Sequence, residues 1–525
     1  MSGVIVGLGG LLSDPACCVI KDRNLASAVE QAKISRQERL GSFPEEAFDQ
    51  ALRVAHIKPE EIECVAVARP FARGAESAIQ LEIRDRFPNA HVVVVEHHHA
   101  HAASAYYATQ FDSASVLSID RAGDFRSAVL FEAKENRLTP VRELYFPDSL
   151  GDLFNRVTEL LGFEPRADEH KVQWLSVPGQ PRFAGVFRKM LYRAAGHWPQ
   201  IDRNFFDADL LTHGGFSSRF YDAVQIRAEE PIPPQIKSDL AASLQAAISN
   251  AVIEMAGSAE NLCIAGGLAL NTLLIHSLEE RFSNVFVQPV AGNAGTALGA
   301  ALFAWHNFLG EKTRVPFNTL CLGPAYSPEE IKQVLENCKL RFSYLMTKEA
   351  LIGQAVNALN DQQIVAWMQG RMEFGPRALG NRSILASPMN PYSTENLNVY
   401  IKHREGSRKF AASVPVELAD KYFEVGPNAR YLATVGRVRP EYRDTFAAAV
   451  LANDLIRVHT VDKEENPLYH GLLMQAGEST GLPVLYNTSF NLFGDPLVCT
   501  PRDAVRSFYS SGIDALFVGS FYLEK

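Results

Sequence analysis

The sequence predicts an α/β protein with two domains, and two observations support that prediction. Short apolar segments alternate with segments of helical periodicity through the first hundred residues. The expected strands are 4–8, 17–20 and 62–68, and the expected helices are 43–54 and 75–86. Such alternation is typical of an α/β fold. The chain also has 525 residues, which is enough for two or more domains.

A histidine cluster follows the next predicted strand, at residues 92–95. It places four histidines within five residues, namely His97, His98, His99 and His101. The alanines among and after them favour a helix. Residues four apart share one face of a helix, so His97 and His101 can offer two imidazoles to one metal ion. This density of histidines favours a metal or phosphate site over a hydrated helix start.

A nearby carboxylate is able to complete such a site. Residues 116–121 read as an apolar strand that ends near Asp120, and Gly123 follows, where the backbone can approach a ligand closely. Sites in α/β proteins are built where strands leave the sheet. Two histidines and a carboxylate favour Zn(II) or Fe(II), with positions left open for substrate. The alternative is that Asp120 is an ordinary turn residue.

Two glycine-rich junctions between a strand and a helix indicate a second kind of site. The first runs from Gly266 and Gly267 to Asn271, and the second contains Gly292 and Gly295. Glycines at such a junction let backbone N–H groups approach an anion at the helix N-terminus. A single junction is weak evidence, but two in one domain predict binding of a nucleotide or polyphosphate.

The periodicity of the chain also suggests where its domains divide. Residues 145–235 are less regular and rich in Phe, Arg, Pro and Asp. This segment is either an insertion that shapes an acceptor pocket or an irregular structural excursion. A long helix is expected at 236–256, and the pattern loosens again at 311–328. We therefore expect a first domain over 1–325 and a second over 326–525.

The second half of the chain concentrates cationic side chains. The candidate anion-binding residues are Arg371, Arg377, Lys402, Arg404, Arg408 and Arg457. Ser489 and Asn491 alternate with apolar residues, so both point to one side of an extended segment. Guanidinium groups suit phosphate or carboxylate oxygens. The alternative is solvated surface charge, but clustered arginines in a chain of net charge −9 favour an anion pocket.

Composition narrows the function classes. The net charge of −9 argues against a broad surface for nucleic acid or anionic membrane. Seven cysteines without a CxxC spacing suggest neither a zinc ribbon nor a disulfide framework, and a reducing cytoplasm fits them. No basic segment precedes the first apolar residues, so we do not expect the N-terminus to be a signal peptide. The longest apolar stretch, 296–305, is too short to span a bilayer.

With these residues in view, the chain resembles the NodU/CmcH-type O-carbamoyltransferases, which include nodulation-factor, cephalosporin and aminoglycoside carbamoyltransferases. The resemblance covers nearly the whole chain. Its segments are EHHHAHAASAYY, AGGLALN, AGNAGTALGAAL, GRMEFGPRALGNRSIL, KHREGSRKF and YNTSFNLFGDP. The segments most diagnostic of the family are GRMEFGPRALGNRSIL and YNTSFNLFGDP.

The resemblance implies a fold and a reaction for each domain. The first is expected to be similar to tRNA threonylcarbamoyltransferase subunits, which bind metal and nucleotide and have an actin/Hsp70/sugar-kinase fold. The second is expected to be similar to YrdC, an α/β domain on a twisted sheet. In the family, the second domain forms carbamoyl-adenylate from carbamoyl phosphate and Mg²⁺-bound ATP and releases pyrophosphate. The first domain passes the carbamoyl group to an acceptor hydroxyl.

Residue by residue, the resemblance implies three groups. The matches to metal ligands are His97, His101 and Asp120. The matches to the carbamoyl phosphate and ATP constellation are Lys402, Arg408, Ser489 and Asn491, with Arg377 and Arg457 at phosphate. The metal would polarise the carbamoyl carbonyl or acidify the acceptor hydroxyl. A small-molecule acceptor, such as an intermediate of antibiotic biosynthesis, and a homodimer are further expectations.

The departures from the family lie in the first domain. Asn293 stands where the family has an Asp that ligates the metal, and the family's early His-Asp pair is Ser13–Asp14 here. Arg121 and Asp124 replace a Gly and a Glu. We expect adenylation to be retained together with an unusual acceptor or metal site. Two alternatives stay open: (threonyl)carbamoylation of a macromolecule, and a silent nucleotide-binding scaffold.

Overall fold

The computed structural model describes residues 3–37, 40–69, 75–193, 197–207, 213–390, 392, 395–403, 409–492 and 494–525. Within these ranges the chain forms a mixed α/β fold, which confirms the predicted class. It divides into two compact units. The first is Met1–Val94, Asn293–Trp305 and Thr313–Lys525, and the second is Val95–Gly292 and His306–Lys312. The domain boundary expected at residue 325 divides the chain differently from these two units, and it stays a prediction.

The first unit opens with a five-stranded sheet. Its order is Asn24–Glu30, Ala16–Lys21, Ile5–Gly9, Cys64–Ala68 and His91–Val95. The central strand is buried along its whole length because the helix Gly295–Phe303 lies directly on it. A Cβ atom at Gly7 would overlap the carbonyl oxygen of Ala297. Glycine is therefore required for this close approach of helix and strand.

A ten-stranded sheet forms the rest of the first unit. Its order is Ser343–Tyr344, Phe521–Glu524, Ala515–Val518, Val365–Met368, Arg382–Ala386, Leu485–Ser489, Ala411–Pro415, Leu455–Val461, Gly436–Val438 and Phe423–Glu424. Both faces are apolar: Val365 and Trp367 belong to one core, and Ala366 and Met368 to another. A strand buried on both faces reads as a continuous apolar run rather than an alternating one.

Helices cover both faces of these sheets in the first unit. The α-helices described there, besides Gly295–Phe303, are Gln31–Ser35, Glu45–Ala55, Ala75–Arg86, Pro328–Asn337, Lys348–Asn360, Ala419–Tyr422, Pro467–Thr480 and Pro501–Tyr509. Ser327 and Thr500 each begin their helix with a capping box, in which side chain and backbone bond reciprocally. Among the described residues, every helix is too short or too polar to cross a bilayer.

The second unit is built on another five-stranded sheet. Its order is Asn284–Val287, Asn261–Ala265, Ser113–Gly123, Arg126–Lys134 and Arg137–Tyr145. The first three strands are parallel, and the last two extend them as an antiparallel meander. A further pair, Leu191–Tyr192 with Gln200–Ile201, lies outside this sheet. The meander strands were absent from the sequence-based prediction, which placed no element between 122 and 144.

The segment 145–235 contains four α-helices that the sequence analysis did not predict, while its other described residues are mostly irregular, as expected. The α-helices of the second unit are His97–Tyr106, Leu150–Leu160, Glu169–Leu175, Ala184–Met190, Ser218–Val224, Pro234–Ala256 and Thr272–Glu279. The available signal was the spacing of Leu150, Leu153, Phe154 and Val157, which buries one helix face. Proline, glycine and arginine between these short helices obscured it.

Candidate functional site

Three side chains of the second unit meet near the end of the strand Ser113–Gly123. His97 Nε2 lies 2.8 Å from Asp120 Oδ2, and His101 Nε2 lies 3.5 Å from the same oxygen. The two imidazole rings are 4.6 Å apart, on one face of the helix His97–Tyr106. All three potential ligand atoms lie within 4.8 Å of one another. The spacing of four residues therefore places both imidazoles on the same face of the helix, as helix geometry requires.

Close backbone packing holds the three side chains in place. Asp124 Oδ2 accepts a hydrogen bond from the N–H of His97 at 3.0 Å, at the start of the helix. Any Cβ atom at Gly123 would collide with the His97 ring. Asp120 Oδ1 accepts from the N–H of Arg121 at 2.7 Å, which leaves Oδ2 facing the histidines. The turn after the strand thus orients both partners of the cluster.

The electrostatics of the cluster favour an ionised carboxylate. Burial raises the pKa of Asp120, but hydrogen bonds from His101 and His97 outweigh it and hold that pKa well below its usual range. Two imidazole nitrogens and one carboxylate oxygen form a ligand set that Zn(II) and Fe(II) use, with room for further ligands. Metal–ligand bonds of about 2.0–2.2 Å place neighbouring ligand atoms roughly 3–3.5 Å apart, close to the spacing here. The donor set therefore fits a divalent transition metal.

The other two histidines have separate roles. His98 Nδ1 lies 2.8 Å from Ser118 Oγ, and its Nε2 lies 3.0 Å from the carbonyl oxygen of Arg126. A carbonyl only accepts, so Nε2 carries the proton. Burial, followed by the charge of His97, holds the pKa of His98 well below its usual range. His99 Nδ1 contacts Glu96 at 2.9 Å. Both rings therefore brace the helix.

The first glycine-rich junction packs against the strand that carries Asp120. Gly266 has a φ of +96°, and a Cβ there would overlap the carbonyl oxygen of Ile119. A Cβ at Gly267 would lie 3.1 Å from Asp120 Oδ1. Asn271 caps the next helix by accepting from the N–H of Leu274 at 3.0 Å. These contacts account for the three residues structurally, and their contact with nucleotide stays a prediction.

The second junction lies across the boundary of the two units. Gly292 ends a segment of the second unit, while Asn293 and Gly295 belong to the first. Asn293 Nδ2 donates to Ser13 Oγ at 2.7 Å, and its carbonyl oxygen accepts from the N–H of Thr296 at 3.0 Å. Metal ligation by Asn293 and nucleotide contact by the glycines stay predictions.

A second cluster lies in the first unit, around the buried Lys402. Its Nζ donates to the carbonyl oxygens of Ser489 at 2.6 Å and Asn491 at 2.7 Å, and to Asn491 Oδ1 at 2.6 Å. Ser489 Oγ also donates to Asn491 Oδ1 at 2.7 Å. Lys402, Ser489 and Asn491 therefore form one polar group, although up to 89 positions separate them in the chain. Arg404 and Arg408 lie outside the described residues.

This polar group borders a cavity of about 340 Å³. Among its lining residues are Ser13, Asp14, Lys33, Ser489, Asn491 and Asp495. Lys33 pairs with Glu30 and donates to the carbonyl oxygens of Glu373 at 3.0 Å and Gly375 at 2.6 Å. Sequence reasoning missed Lys33, because no local pattern distinguishes a cavity lysine whose carbonyl acceptors are 340 and 342 residues away.

The remaining predicted arginines differ in their surroundings. Arg371 donates to three carbonyl oxygens, those of Ala26, Leu322 and Gly323, at 2.6–3.2 Å. Its guanidinium therefore joins two distant backbone segments, at Ala26 and at Leu322–Gly323, and phosphate contact by it stays a prediction. Arg457 lies in the strand Leu455–Val461, opposite Ala411. Arg377 lies in the described loop between two strands of the same sheet, and its role also stays a prediction.

Comparison with known proteins gives the family. The models for the carbamoyltransferase N-terminus and C-terminus match residues 71–302 and 356–525. The uncharacterized protein sll1178 of Synechocystis sp. is 32% identical over 99% of this chain and 96% of its own. Nodulation protein NolNO of Sinorhizobium fredii is 30% identical, over 98% and 79%. A 3'-hydroxymethylcephem-O-carbamoyltransferase of Streptomyces clavuligerus is 33% identical, over 50% and 49%. The chain belongs to the NodU/CmcH family and is a carbamoyltransferase.

Proposed function

We propose that this chain is an ATP-dependent O-carbamoyltransferase. It forms carbamoyl-adenylate from carbamoyl phosphate and ATP and transfers the carbamoyl group to a hydroxyl of a small-molecule acceptor. The observation that carries the proposal is the ammonium group of Lys402, enclosed by Ser489 and Asn491 beside a cavity of about 340 Å³. Family membership and a relative named as an O-carbamoyltransferase support it.

Adenylation requires positive charge where phosphates meet. Joining the carbamoyl group to the α-phosphate of ATP releases pyrophosphate, and the donor's phosphate leaves with consumption of one water. An ammonium has three donors, and oxygens of Ser489 and Asn491 already engage Lys402. Lys402 therefore acts by its charge and by ordering residues 489–491, while Arg408, Arg404, Arg377 and Arg457 supply direct phosphate contacts.

Transfer is proposed at the cluster of the second unit. His97, His101 and Asp120 would hold Fe(II) or Zn(II), which as a Lewis acid would polarise the carbamoyl carbonyl or acidify the acceptor. The acceptor oxygen attacks the carbamoyl carbon, the bond to the AMP oxygen breaks, and the hydroxyl proton passes to solvent or a base. The low pKa of Asp120 keeps its carboxylate ready for ligation throughout neutral pH.

The proposed fold assignments follow the family resemblance. We assign the actin/Hsp70/sugar-kinase type to the first domain and the YrdC-like type to residues 326–525. The glycines Gly266, Gly267, Gly292 and Gly295, with Asn271, would face a nucleotide in the first of these. The ten-stranded sheet, which carries both Ser489 and Arg457, supports a site for carbamoyl phosphate and ATP on the second.

The test is pyrophosphate release from purified protein given ATP, Mg²⁺ and carbamoyl phosphate. We expect release that requires carbamoyl phosphate and falls roughly 100-fold or more in Lys402→Met and Arg408→Ala. Lys463→Met removes an exposed lysine and serves as the matched control. If folded wild-type protein that binds ATP releases none, even with candidate hydroxyl acceptors, the proposal is wrong and a binding scaffold is the better description.

A further inference from the structure

A positively charged side chain begins directly beside the histidine cluster. Arg121 follows Asp120 in the chain, and its N–H donates to Asp120 Oδ1 at 2.7 Å. The pairing of the strand Ser113–Gly123 with its antiparallel neighbour is interrupted between Ile119 and Gly123. Such interruptions bend a strand and re-aim its side chains, often next to a site. The Arg121 side chain therefore starts at the cluster and not in the regular part of the sheet.

The guanidinium of Arg121 is only loosely held. Among the described residues its ionic partner is Asp152, whose Oδ1 lies 3.8 Å from Arg121 Nη1, beyond hydrogen-bond distance. The other oxygen of Asp152 accepts from Arg156 Nε at 2.8 Å. One carboxylate thus faces two guanidiniums, and this group of three carries a net positive charge. The Arg121 side chain is 37% exposed, so its donors are open to a ligand.

Close backbone packing brings two further segments of the second unit to this position. A Cβ atom at Gly151, in the first turn of the helix Leu150–Leu160, would lie 3.0 Å from the Cα atom of Arg121. A Cβ atom at Gly267, in the first glycine-rich junction, would lie 3.1 Å from Asp120 Oδ1. The start of that helix, the glycine-rich junction and the histidine cluster are therefore immediate neighbours of Arg121.

The proposed transfer step builds negative charge on a phosphate. When the acceptor oxygen attacks the carbamoyl carbon, the bond from that carbon to the AMP oxygen breaks, and its electron pair stays with AMP. The phosphate thereby changes from a monoanion to a dianion, while the acceptor's proton passes to solvent or a base. A guanidinium binds two phosphate oxygens at once and stabilises this charge as it forms. A cation beside the cluster with open donors is suited to that contact.

We infer that Arg121 binds the phosphate of carbamoyl-adenylate at the histidine cluster and stabilises AMP as it leaves. The inference rests on the proposed function, because that function supplies the adenylate. A half-exposed ion pair contributes little to stability, so pairing with Asp152 alone does not account for Arg121. The ligand class is a nucleoside 5'-monophosphate, which this arginine recognises by its phosphate. Arg121 is also one of the departures from the family, so the contact is particular to this chain.

The test measures the binding of AMP and of adenosine to the full-length protein by isothermal titration calorimetry. We expect one site per chain that prefers AMP, and there Arg121→Gln should weaken AMP binding about tenfold or more while leaving adenosine binding unchanged. The variant should fold, because Asp152 keeps its hydrogen bond from Arg156. Arg227→Gln removes an exposed arginine that also pairs with a single carboxylate, and it should bind AMP like wild type.

A second variant separates phosphate binding from a structural role. Asp152→Asn removes the carboxylate that competes with phosphate for Arg121, so AMP affinity should rise by about threefold or more. An ion pair with a purely structural role predicts no such gain.

Four results would overturn the inference. These are equal affinity of wild type for AMP and adenosine, unchanged AMP binding in folded Arg121→Gln, equal losses of AMP and adenosine binding in that variant, and no gain in folded Asp152→Asn. Failure of the proposed function gives a different result, because pyrophosphate release is measured separately. Wild type that binds AMP through Arg121 but releases no pyrophosphate contradicts the proposed function and leaves the phosphate site in place.

Discussion

The side-chain amide of Asn293 donates a hydrogen bond to the hydroxyl oxygen of Ser13 at 2.7 Å. These are two of the positions at which the sequence departs from the family that it resembles. They lie 280 residues apart in the chain and in direct contact in the fold. Asn293 Oδ1 is buried and has no hydrogen-bond partner among the described residues. Ser13 and Asn293 thus form one neutral hydrogen-bonded pair, and Asn293 Oδ1 is the single oxygen that the pair leaves for a ligand.

The first prediction concerns a variant in which a charged carboxylate replaces the neutral amide of Asn293. Asn293→Asp should keep the fold, because the Ser13 hydroxyl can rotate to donate to a carboxylate. Since carboxylates bind divalent metals more strongly than neutral amides do, we expect affinity for Zn(II) or Fe(II) to rise by about tenfold or more. Competition with a chelator measures it. Asn89→Asp adds the same charge at an exposed position and should leave metal affinity unchanged. Unchanged affinity and transfer rate would contradict a metal role for Asn293.

A second prediction concerns the packing beneath the histidine cluster. Gly123→Ala would place a methyl group inside the His97 ring, so that ring must move and lose its contact with Asp120. We expect loss of bound metal and a destabilisation of about 1–3 kcal/mol. Metal analysis and thermal unfolding measure the two effects. Gly185→Ala, in a helix with open space around it, should instead be neutral or stabilising. Full metal content in folded Gly123→Ala would refute this view of the cluster.

Local periodicity explains why parts of the fold and site were predictable. The spacing of His97 and His101 fixes a shared helix face before any tertiary contact forms. Strand alternation does not explain the contact of Ser489 with Asn491, because the strand Leu485–Ser489 ends first and the Asn491 N–H donates back to the Ser489 carbonyl oxygen. The same reasoning found four of the five strands in the smaller sheet of the first unit, because strands buried by neighbouring helices are short, apolar and bounded by turns.

Long-range partners explain what was missed. Arg371 donates to carbonyl oxygens as far away as Ala26, and no pattern in the sequence predicted these contacts; its phosphate contact stays a prediction. A carbonyl leaves no trace in the side-chain sequence, so an arginine that binds backbone looks like one that binds a ligand. Lys33 shows the converse, because its place in the cavity depends on the distant loop at Gly375. Neither partner could be inferred from neighbouring residues.

A third prediction tests the structural role of the loop before the strand Arg382–Ala386. Arg382 is fully buried and donates to the carbonyl oxygens of Gln369 and Pro324, at 2.6 and 3.2 Å. The buried Glu373 accepts from three N–H groups of the same loop. Arg382→Met should cost about 3–5 kcal/mol, because it leaves the buried carbonyl oxygens of Gln369 and Pro324 without this donor and removes the cation near Glu373. Thermal unfolding measures the loss.

A double variant separates charge from packing. If the uncompensated charge dominates, Glu373→Gln combined with Arg382→Met should be less destabilised than the sum of the single variants, by about 0.5–3 kcal/mol. Arg227→Met removes an exposed arginine and should stay within about 0.5 kcal/mol of wild type. Strict additivity in the double variant would show that packing, rather than the buried charge, sets the cost.

The last prediction follows from a buried histidine in the first unit. Burial lowers the pKa of His459 to about 3, against 6.5 for the exposed side chain, and its Nδ1 lies 3.0 Å from Ser413 Oγ. Between these two values the unfolded chain binds a proton that the folded chain does not. Stability should therefore fall as the pH drops from about 6.5 towards 3, by roughly 5 kcal/mol in total at about 1.4 kcal/mol per pKa unit.

His459→Asn removes this titration while keeping a polar side chain beside Ser413. The variant should be less stable than wild type at neutral pH, since the smaller side chain leaves space in the core. Its thermal midpoint should nevertheless fall less steeply between pH 6.5 and 4, because no buried imidazole has to stay neutral against the proton. His56→Asn changes an exposed histidine with a left-handed backbone that asparagine tolerates, and it should keep the wild-type slope. Equal slopes in His459→Asn and wild type would mean that other groups, chiefly carboxylates, set the acid sensitivity.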